Sequence, residues 1–314
     1  MSCKSCKEKS VYIDISGKKL CKKHFISFYE KKVRRTINNF KLINKNDSVI
    51  VAISGGKDSL ALLFFLSKYC RERSIKLESL LIDEGIKGYR DKTIKDARKY
   101  CKKLGVKLKV VSFKKEFGFS LDDVAKLIAK NKLKVNTCYV CGILRRWLIN
   151  KYAIKLKATR LATAHCLNDE AQTIIVNWLK GNASLLARQG PLSGVKIRKG
   201  FVQRIKPLYF CSEKENMIYC LVNGIDIGFN ECKYIESYRR EVRDFLNAME
   251  ARHRGRHYAI VNSLLELLPL LKEKYKDEEV NYCSSCGFPS AGKICKACAL
   301  VRDIKKIIKS VKKK

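Results

Sequence analysis

The strongest constraint on the fold lies between residues 49 and 70. Val49 to Ile53 is an unbroken apolar run that passes through Ser54-Gly55-Gly56-Lys57-Asp58-Ser59 into an apolar stretch from about Asp58 to Cys70. The first run has the length of a strand and the second that of a helix. A strand apolar at every position is buried on both faces, and such strands belong to parallel sheets joined by crossover helices. The pattern then repeats. Strands are expected at Leu77–Ile82, Val106–Val111 and Leu161–Ala164. Helices are expected at Asp91–Leu104, about Leu121–Lys130, Arg145–Lys155, Asn168–Lys180 and about Ser212–Asn223. Strands alternating with helices imply an α/β class with a doubly wound parallel sheet covered on both faces.

The loop after the first strand has the chemistry of an anion cradle. Gly55 and Gly56 permit a tight turn that exposes backbone N–H groups, and the helix N-terminus adds partial positive charge. Ser54 and Ser59 carry hydroxyls that can bond phosphate, while ionised Asp58 accepts only, which beside a triphosphate suits an Mg²⁺ partner. The loop is neither a Walker A sequence nor G-x-G-x-x-G. It resembles the PP-loop of ATP pyrophosphatases, which cleave ATP to AMP and pyrophosphate while adenylating a substrate. In isolation the six residues could form an ordinary Gly-Gly turn, but directly after an apolar strand the phosphate-binding reading is the better one.

The chain has 15 cysteines, and ten of them fall into three groups. Cys3, Cys6, Cys21 and His24 read C-x2-C-x14-C-x2-H, and Cys283, Cys286, Cys295 and Cys298 read C-x2-C-x8-C-x2-C. Each set offers four soft ligands in two close pairs, as tetrahedral zinc requires, so two structural Zn²⁺ are expected. Cys138 and Cys141 form a single C-x-x-C, with Cys232 as a plausible third member. Three thiolates would leave one iron of a 4Fe–4S cluster without a protein ligand. A persulfide with a resolving partner, or a buried thiol pair, fits the same spacing. Cys70, Cys101, Cys166, Cys211 and Cys220 lack paired spacing and are expected to pack as small hydrophobes.

Lys and Arg number 67 against 30 Asp and Glu, a net charge of +37. Such an excess points to a polyanionic partner. Two basic amphipathic segments, 25–40 and 300–314, are candidates for contacts to a nucleic-acid backbone. In the first, Phe25, Phe28, Tyr29, Val33, Ile37 and Phe40 recur at helical spacing with Lys31, Lys32, Arg34 and Arg35 between them. No stretch approaches the roughly 18 uncharged apolar residues of a membrane span. The N-terminus lacks the apolar core of an export signal, so no membrane association and a cytoplasmic location are expected. Three regions follow: 1–40, a zinc finger and connecting helix; 41–245, a catalytic domain; and 246–314, a helical connector, zinc ribbon and basic helix.

The succession of zinc module, SGGKDS, C-x-x-C-G, lone later cysteine and zinc ribbon resembles the tRNA 2-thiouridine synthetases, over nearly the whole chain. The resemblance implies an adenine nucleotide hydrolase-like fold and a tRNA uridine 2-sulfurtransferase. ATP would adenylate O2 of a uridine, and sulfur would then displace AMP. The implied catalytic residues are Asp58, Asp169, Cys138, Cys141 and Cys232, the three cysteines holding a 4Fe–4S cluster. Nucleotide would meet Ala52, Ile53, Ser54, Gly55, Gly56, Asp58, Ser59, Ile82, Asp83, Arg145, Ala164 and Asp169. The implied partners are tRNA, a ubiquitin-like sulfur-carrier protein and a second copy of the chain.

The segments Ile82-Asp-Glu-Gly-Ile86, Gly88-Tyr-Arg90 and Cys141-Gly-Ile-Leu-Arg145 resemble the wobble-uridine branch, favouring position 34 over T-loop position 54. Where the family has Gly-His-Asn-x-Asp-Asp, this chain has Ala164-His165-Cys166-Leu167-Asn168-Asp169. One carboxylate is therefore missing, and Asp169 takes the acidic role. Two other functions compete. A PP-loop synthetase or amidotransferase acting on a small metabolite would have no use for the cysteines or the charge. A non-catalytic zinc-ribbon RNA-binding protein would have none for SGGKDS.

Overall fold

The computed structural model describes residues 2–228, 232–234, 238–277 and 280–312. An N-terminal hairpin, β1 (Ser10–Ile13) and β2 (Lys19–Cys21), leads into helix α1 (Lys22–Asn39). The central unit follows as β3 (Ser48–Ala52), α2 (Lys57–Arg71), β4 (Lys76–Asp83), α3 (Arg90–Leu104) and β5 (Lys107–Ser112). It continues through α4 (Phe113–Phe117), α5 (Leu121–Ala129), α6 (Thr137–Lys155), β6 (Arg160–Thr163) and α7 (Leu167–Leu179). Next come α8 (Ala183–Ala187), β7 (Gln203–Ile205), α9 (Glu213–Val222), α10 (Tyr238–Arg252) and α11 (Arg256–Lys274). A second hairpin, β8 (Asn281–Tyr282) and β9 (Pro289–Ser290), precedes the final helix α12 (Lys296–Lys312).

The five central strands pair in parallel in the order β5-β4-β3-β6-β7. From β3 the chain winds outward through β4 to β5, then returns to the other side of β3 with β6 and β7. The carboxyl ends of β3 and β6 therefore flank the reversal of strand order, where open α/β sheets form a ligand crevice. Ala52 pairs with Leu80 on one side and Thr163 on the other, placing the loop at Ser54 over that crevice.

Period-two alternation divides the core. Val49, Val51 and Leu81 point to one face, packed with α2 and with Phe25, Tyr29, Val33 and Ile37 of α1. Ile50, Leu80 and Ile82 point to the other, packed with Val140, Leu144 and Leu148 of α6 and Ile304 of α12. The two terminal cysteine modules thus sit on opposite faces of one sheet. The anticipated boundary at residue 246 falls inside α10, which packs with α11 on α7. No helix among the described residues is long and apolar enough to cross a membrane.

Most strand and helix bounds agree with the sequence to within about two residues. The exception is α6, which starts at Thr137 and not near Arg145. The Asn136 side-chain oxygen accepts the Cys138 N–H at 2.7 Å and caps the helix, so Cys138 and Cys141 lie in its first turns. The basic face of α1 is also less free than its composition implies. Lys32 pairs with Glu215 at 2.6 Å, and Arg34 with Glu72 at 2.9 Å, leaving Lys31 and Arg35 exposed.

Candidate active site

The loop between β3 and α2 is shaped by its own hydroxyls. The Ser59 Oγ donates to the Gly56 carbonyl at 2.8 Å and accepts the Ser54 N–H at 3.1 Å. The Ser54 Oγ accepts the Gly56 N–H at 3.3 Å. Gly55 has φ +83°, and a Cβ there would stand 2.3 Å from the Thr93 carbonyl oxygen of α3, so no other residue fits. Ile53, buried beneath the loop, donates its N–H to Leu80 at 2.9 Å and locks the turn to β4. Ala52, the last residue of β3, is partly covered.

Beyond β4, Asp83 accepts the Gly85 N–H at 2.9 Å and turns the chain over Ile82. That turn delivers Glu84, 1% exposed, to Arg90, 4% exposed. The guanidinium grips Glu84 through Nε and through a 2.8 Å bond from its NH2 group. Its NH1 group donates to the Ser54 carbonyl at 2.9 Å and contacts Thr93 Oγ1 at 3.3 Å. A buried ion pair is tolerable only when the remaining donors are satisfied, and here they are satisfied by the phosphate-type loop itself. Arg145 approaches the same carboxylate, with 3.6 Å between its NH1 group and Glu84 Oε1.

Cys138, Cys141 and Arg145 occupy one face of α6, three and four residues apart. Cys232 reaches them from a distant part of the sequence. The Cys138 thiol donates to the Tyr234 carbonyl at 2.9 Å. Tyr234 in turn donates its hydroxyl to Asp122 of α5 at 2.6 Å, and Lys233 pairs with the same carboxylate at 3.2 Å. Burial pushes the Cys141 thiol up to about 11, partly opposed by Arg145. Burial likewise raises Cys232, which lies within the fields of Cys138, Glu84 and Arg90. Cys141 and Cys232 therefore lie in the field of the same Glu84–Arg90 pair whose guanidinium holds the Ser54 carbonyl, and Cys138 meets the Cys232 segment at Tyr234. The sequence run Phe229 to Glu231 just before Cys232 lies outside the described residues.

On the other wall Asp58 is held from α9, accepting from Asn216 Nδ2 at 2.9 Å and from Lys57 Nζ at 3.1 Å. Burial raises the Asp58 carboxyl above its usual range; Lys57 opposes that rise and the nearby Asp169 adds to it. Lys57 lies 3.3 Å from Glu213 as well, and the two carboxylates hold its ammonium up against the lowering effect of burial. Asp169 caps α7, accepting the Cys166 N–H at 3.3 Å, and lies 3.7 Å from Arg239. Asn168, at the position of the missing acid, accepts the Glu213 N–H at 3.0 Å and tethers α9. Ala164 is partly buried, and His165 is exposed with Nδ1 3.0 Å from Thr163 Oγ1. The α9 residues Asn216 and Glu213, and the anchor Asp122, escaped the sequence reading. They are ordinary helix residues, and only the packing aims them at the crevice.

The terminal groups differ in geometry. All four ligand atoms of Cys3, Cys6, Cys21 and His24 lie within 4.8 Å of one another, as do those of Cys283, Cys286, Cys295 and Cys298. Zn–S bonds of about 2.3 Å in a tetrahedron set sulfurs roughly 3.8 Å apart. The Cys6–Cys21 separation is 3.4 Å and the Cys286–Cys295 separation 3.7 Å, and His24 Nδ1 lies 3.3–3.4 Å from its three sulfurs. Both sets fit a tetrahedral metal. Cys70, Cys101, Cys211 and Cys220 pack in the core, and Cys166 is buried beside Asp169.

Residues 27–250 match the family model described as a PP-loop domain. The tRNA-5-methyluridine(54) 2-sulfurtransferase of Pyrococcus horikoshii is 34% identical over 95% of this chain and 93% of its own length. The chain belongs to the PP-loop tRNA 2-thiolation family. Among other members, the tRNA 2-thiolation protein NcsA of Haloferax volcanii is 32% identical over 98% of this chain and 100% of its own. The cytoplasmic tRNA 2-thiolation protein 1 of Danio rerio is 31% identical over 97% and 88%. A solved structure of the U34-tRNA thiolase NcsA from Methanococcus maripaludis with its [4Fe-4S] cluster superposes with a TM-score of 0.82 at 33% identity, covering 96% of each chain. The family fold thus extends over both cysteine modules as well as the PP-loop domain.

Proposed function

We propose that this chain is an ATP-dependent tRNA uridine 2-sulfurtransferase acting on the wobble uridine at position 34 in preference to T-loop position 54. The observation that supports the reading is the Arg90–Glu84–Arg145 cluster, which holds the Ser54 carbonyl of the Gly-Gly loop and sets the field at Cys141 and Cys232.

In the first half-reaction O2 of the uridine attacks the α-phosphorus of ATP and pyrophosphate leaves. In the second, sulfur adds at C2 and the oxygen departs with AMP, a far better leaving group than a urea-type oxygen. Ser54, Gly55, Gly56 and Ser59 would present and shape the phosphate cradle, with Ala52, Ile53, Ile82, Asp83 and Ala164 framing the adenosine. Asp58 and Asp169, each within the other's field, would take Mg²⁺. Arg145 would neutralise charge developing on the phosphates while Arg90 keeps the loop backbone in register. Cys138, Cys141 and Cys232 would hold a 4Fe–4S cluster, which when bound would offer an exogenous sulfur an iron free of protein ligands. The terminal sets would each take one Zn²⁺. The sulfur source in this reading is a ubiquitin-like carrier, and the working unit is a cytoplasmic homodimer.

The preference for position 34 rests on the Ile82–Ile86 and Gly88–Arg90 segments, which build the Glu84–Arg90 clamp here. Mass-resolved nucleoside mapping of tRNA from cells lacking the protein should show loss of 2-thiouridine at position 34. Loss at position 54 instead would overturn the positional assignment. In vitro, tRNA should trigger AMP release from ATP. A free metabolite triggering it in place of tRNA would favour a small-molecule synthetase.

A further inference from the structure

A second cleft opens at the outer edge of the sheet, beside β7. Its main chamber is about 620 Å³ and lies between α6, α7 and the 188–204 segment. A smaller chamber of about 190 Å³ continues from it under the C-terminal ribbon, sharing Arg146, Phe201 and Arg204. Among the described lining residues there is no carboxylate, while Arg146, Lys196 and Arg204 all contribute cationic groups. Arg146 and Arg204 line both chambers, and burial together with the Arg146 charge pulls Arg204 down to about 10. Like charges brought together at a cleft favour an anion that is not part of the fold.

The smaller chamber supplies a different chemistry. Trp147, Phe201 and Phe288 line it, with the Trp147 and Phe288 ring centroids 5.6 Å apart. Phe201 is 45% exposed, an open aromatic face at the junction of the two chambers. The Trp147 Nε1–H is buried without a hydrogen-bond partner, an unspent donor in an apolar wall. In the main chamber Asn177 of α7 adds an amide, whereas the Thr173 hydroxyl is already engaged, donating to the Asp169 carbonyl at 2.7 Å. Guanidiniums for phosphate, an exposed ring for stacking and an unpaired donor for a base edge are the set that recognises an unstacked nucleotide. The volume suits one such unit.

We propose that this cleft is a second RNA-binding site, which takes an extrahelical nucleotide of the tRNA by stacking its base on Phe201 and seating its phosphates on Arg146 and Arg204. The inference rests on the tRNA reading given above and adds to it where the chain grips RNA beside the Cys141 end of helix α6. The +37 charge favours a polymer over a free nucleotide. The cleft is also continuous with the ribbon, from which α12 extends with Lys305, Lys306 and Lys309 on its exposed side.

The test is tRNA binding by the full-length protein, read by fluorescence anisotropy across a salt series, with ATP binding measured in parallel. Arg146→Gln/Arg204→Gln should weaken tRNA binding at least about tenfold. It should also reduce the slope of log affinity against log salt by about 1 to 2, because roughly 0.7 to 0.9 counterion is released per phosphate neutralised. Phe201→Ala should weaken it about tenfold through lost stacking. Lys196→Glu changes an exposed side chain and keeps the test open should the arginine variant misfold. Unchanged affinity and slope in Lys196→Glu and Phe201→Ala would overturn the proposal. So would AMP or UMP displacing a probe from the cleft while tRNA does not, since that identifies a mononucleotide site. Failure of thiolation by the wild-type protein would count against the sulfurtransferase reading alone, because tRNA affinity is measured without turnover.

Discussion

The terminal cysteine groups and the mid-chain cysteines use the same residue for opposite ends. At the termini four ligand atoms close on one point, all within 4.8 Å, and each group is tied into the core through neighbours such as Leu20 or Ala297. The mid-chain thiols number three, are not among those tight groups, and sit beside Arg145, Arg90 and a buried glutamate. A closed tetrahedron leaves no coordination position for a substrate, whereas an open trio beside cations does. In the function proposed above, that difference would separate holding the fold from serving a reaction.

Exchanging the roles is the most severe test of that contrast. Cys232→Ala should reduce 2-thiouridine formation to background while ATP binding and tRNA-dependent AMP release persist, read by nucleoside mass spectrometry and pyrophosphate assay. Cys283→Ser should do the reverse and attack stability first. Structural zinc contributes about 10–16 kcal/mol of apparent binding energy in small modules, comparable to a domain's whole stability of about 5–15 kcal/mol. Calorimetry should show a lower or split transition, and a strong zinc chelator should reproduce it in the wild type. Retained thiolation by Cys232→Ala, or an unshifted melt for Cys283→Ser, would erase the distinction.

A finer test concerns the link between loop and thiols. Glu84→Gln leaves Arg90 buried without its counter-charge, which should cost about 3–5 kcal/mol in urea unfolding. A smaller effect is expected from Asp122→Asn, which weakens the anchor of Tyr234 and Lys233 and loosens the Cys232 segment. Sulfur transfer should fall about tenfold, in the range seen when groups supporting a metal ligand are lost, with AMP release unchanged. Equal losses in both half-reactions would show that Asp122 serves the nucleotide side as well.

Much of this was legible in the sequence where the determinants are local. The strand–loop–helix unit at 49–70 and the terminal C-x-x-C pairs follow from runs and spacings of a few residues. The start of α6 was missed because Thr137 to Leu144 carries no acidic first turn and no clear amphipathic period; its cap is Asn136, visible only once the helix is seen. Glu84 and Arg90 were noticed as a segment but not as a pair. Nothing in IDEGIKGYR states that Arg90 turns back to hold both Glu84 and the Ser54 carbonyl.

By itself the sequence determined the fold class, the two tetrahedral ligand sets and the nature of the phosphate-type loop, because each depends on bonds and turns between near neighbours. Only the tertiary structure decided that the Cys232 segment meets Cys138 at Tyr234, that Asn216 and Lys57 hold Asp58, and that Arg146 and Arg204 line one cleft. Those meetings depend on how the helices pack on the two faces of the sheet, and packing is a property of the whole chain.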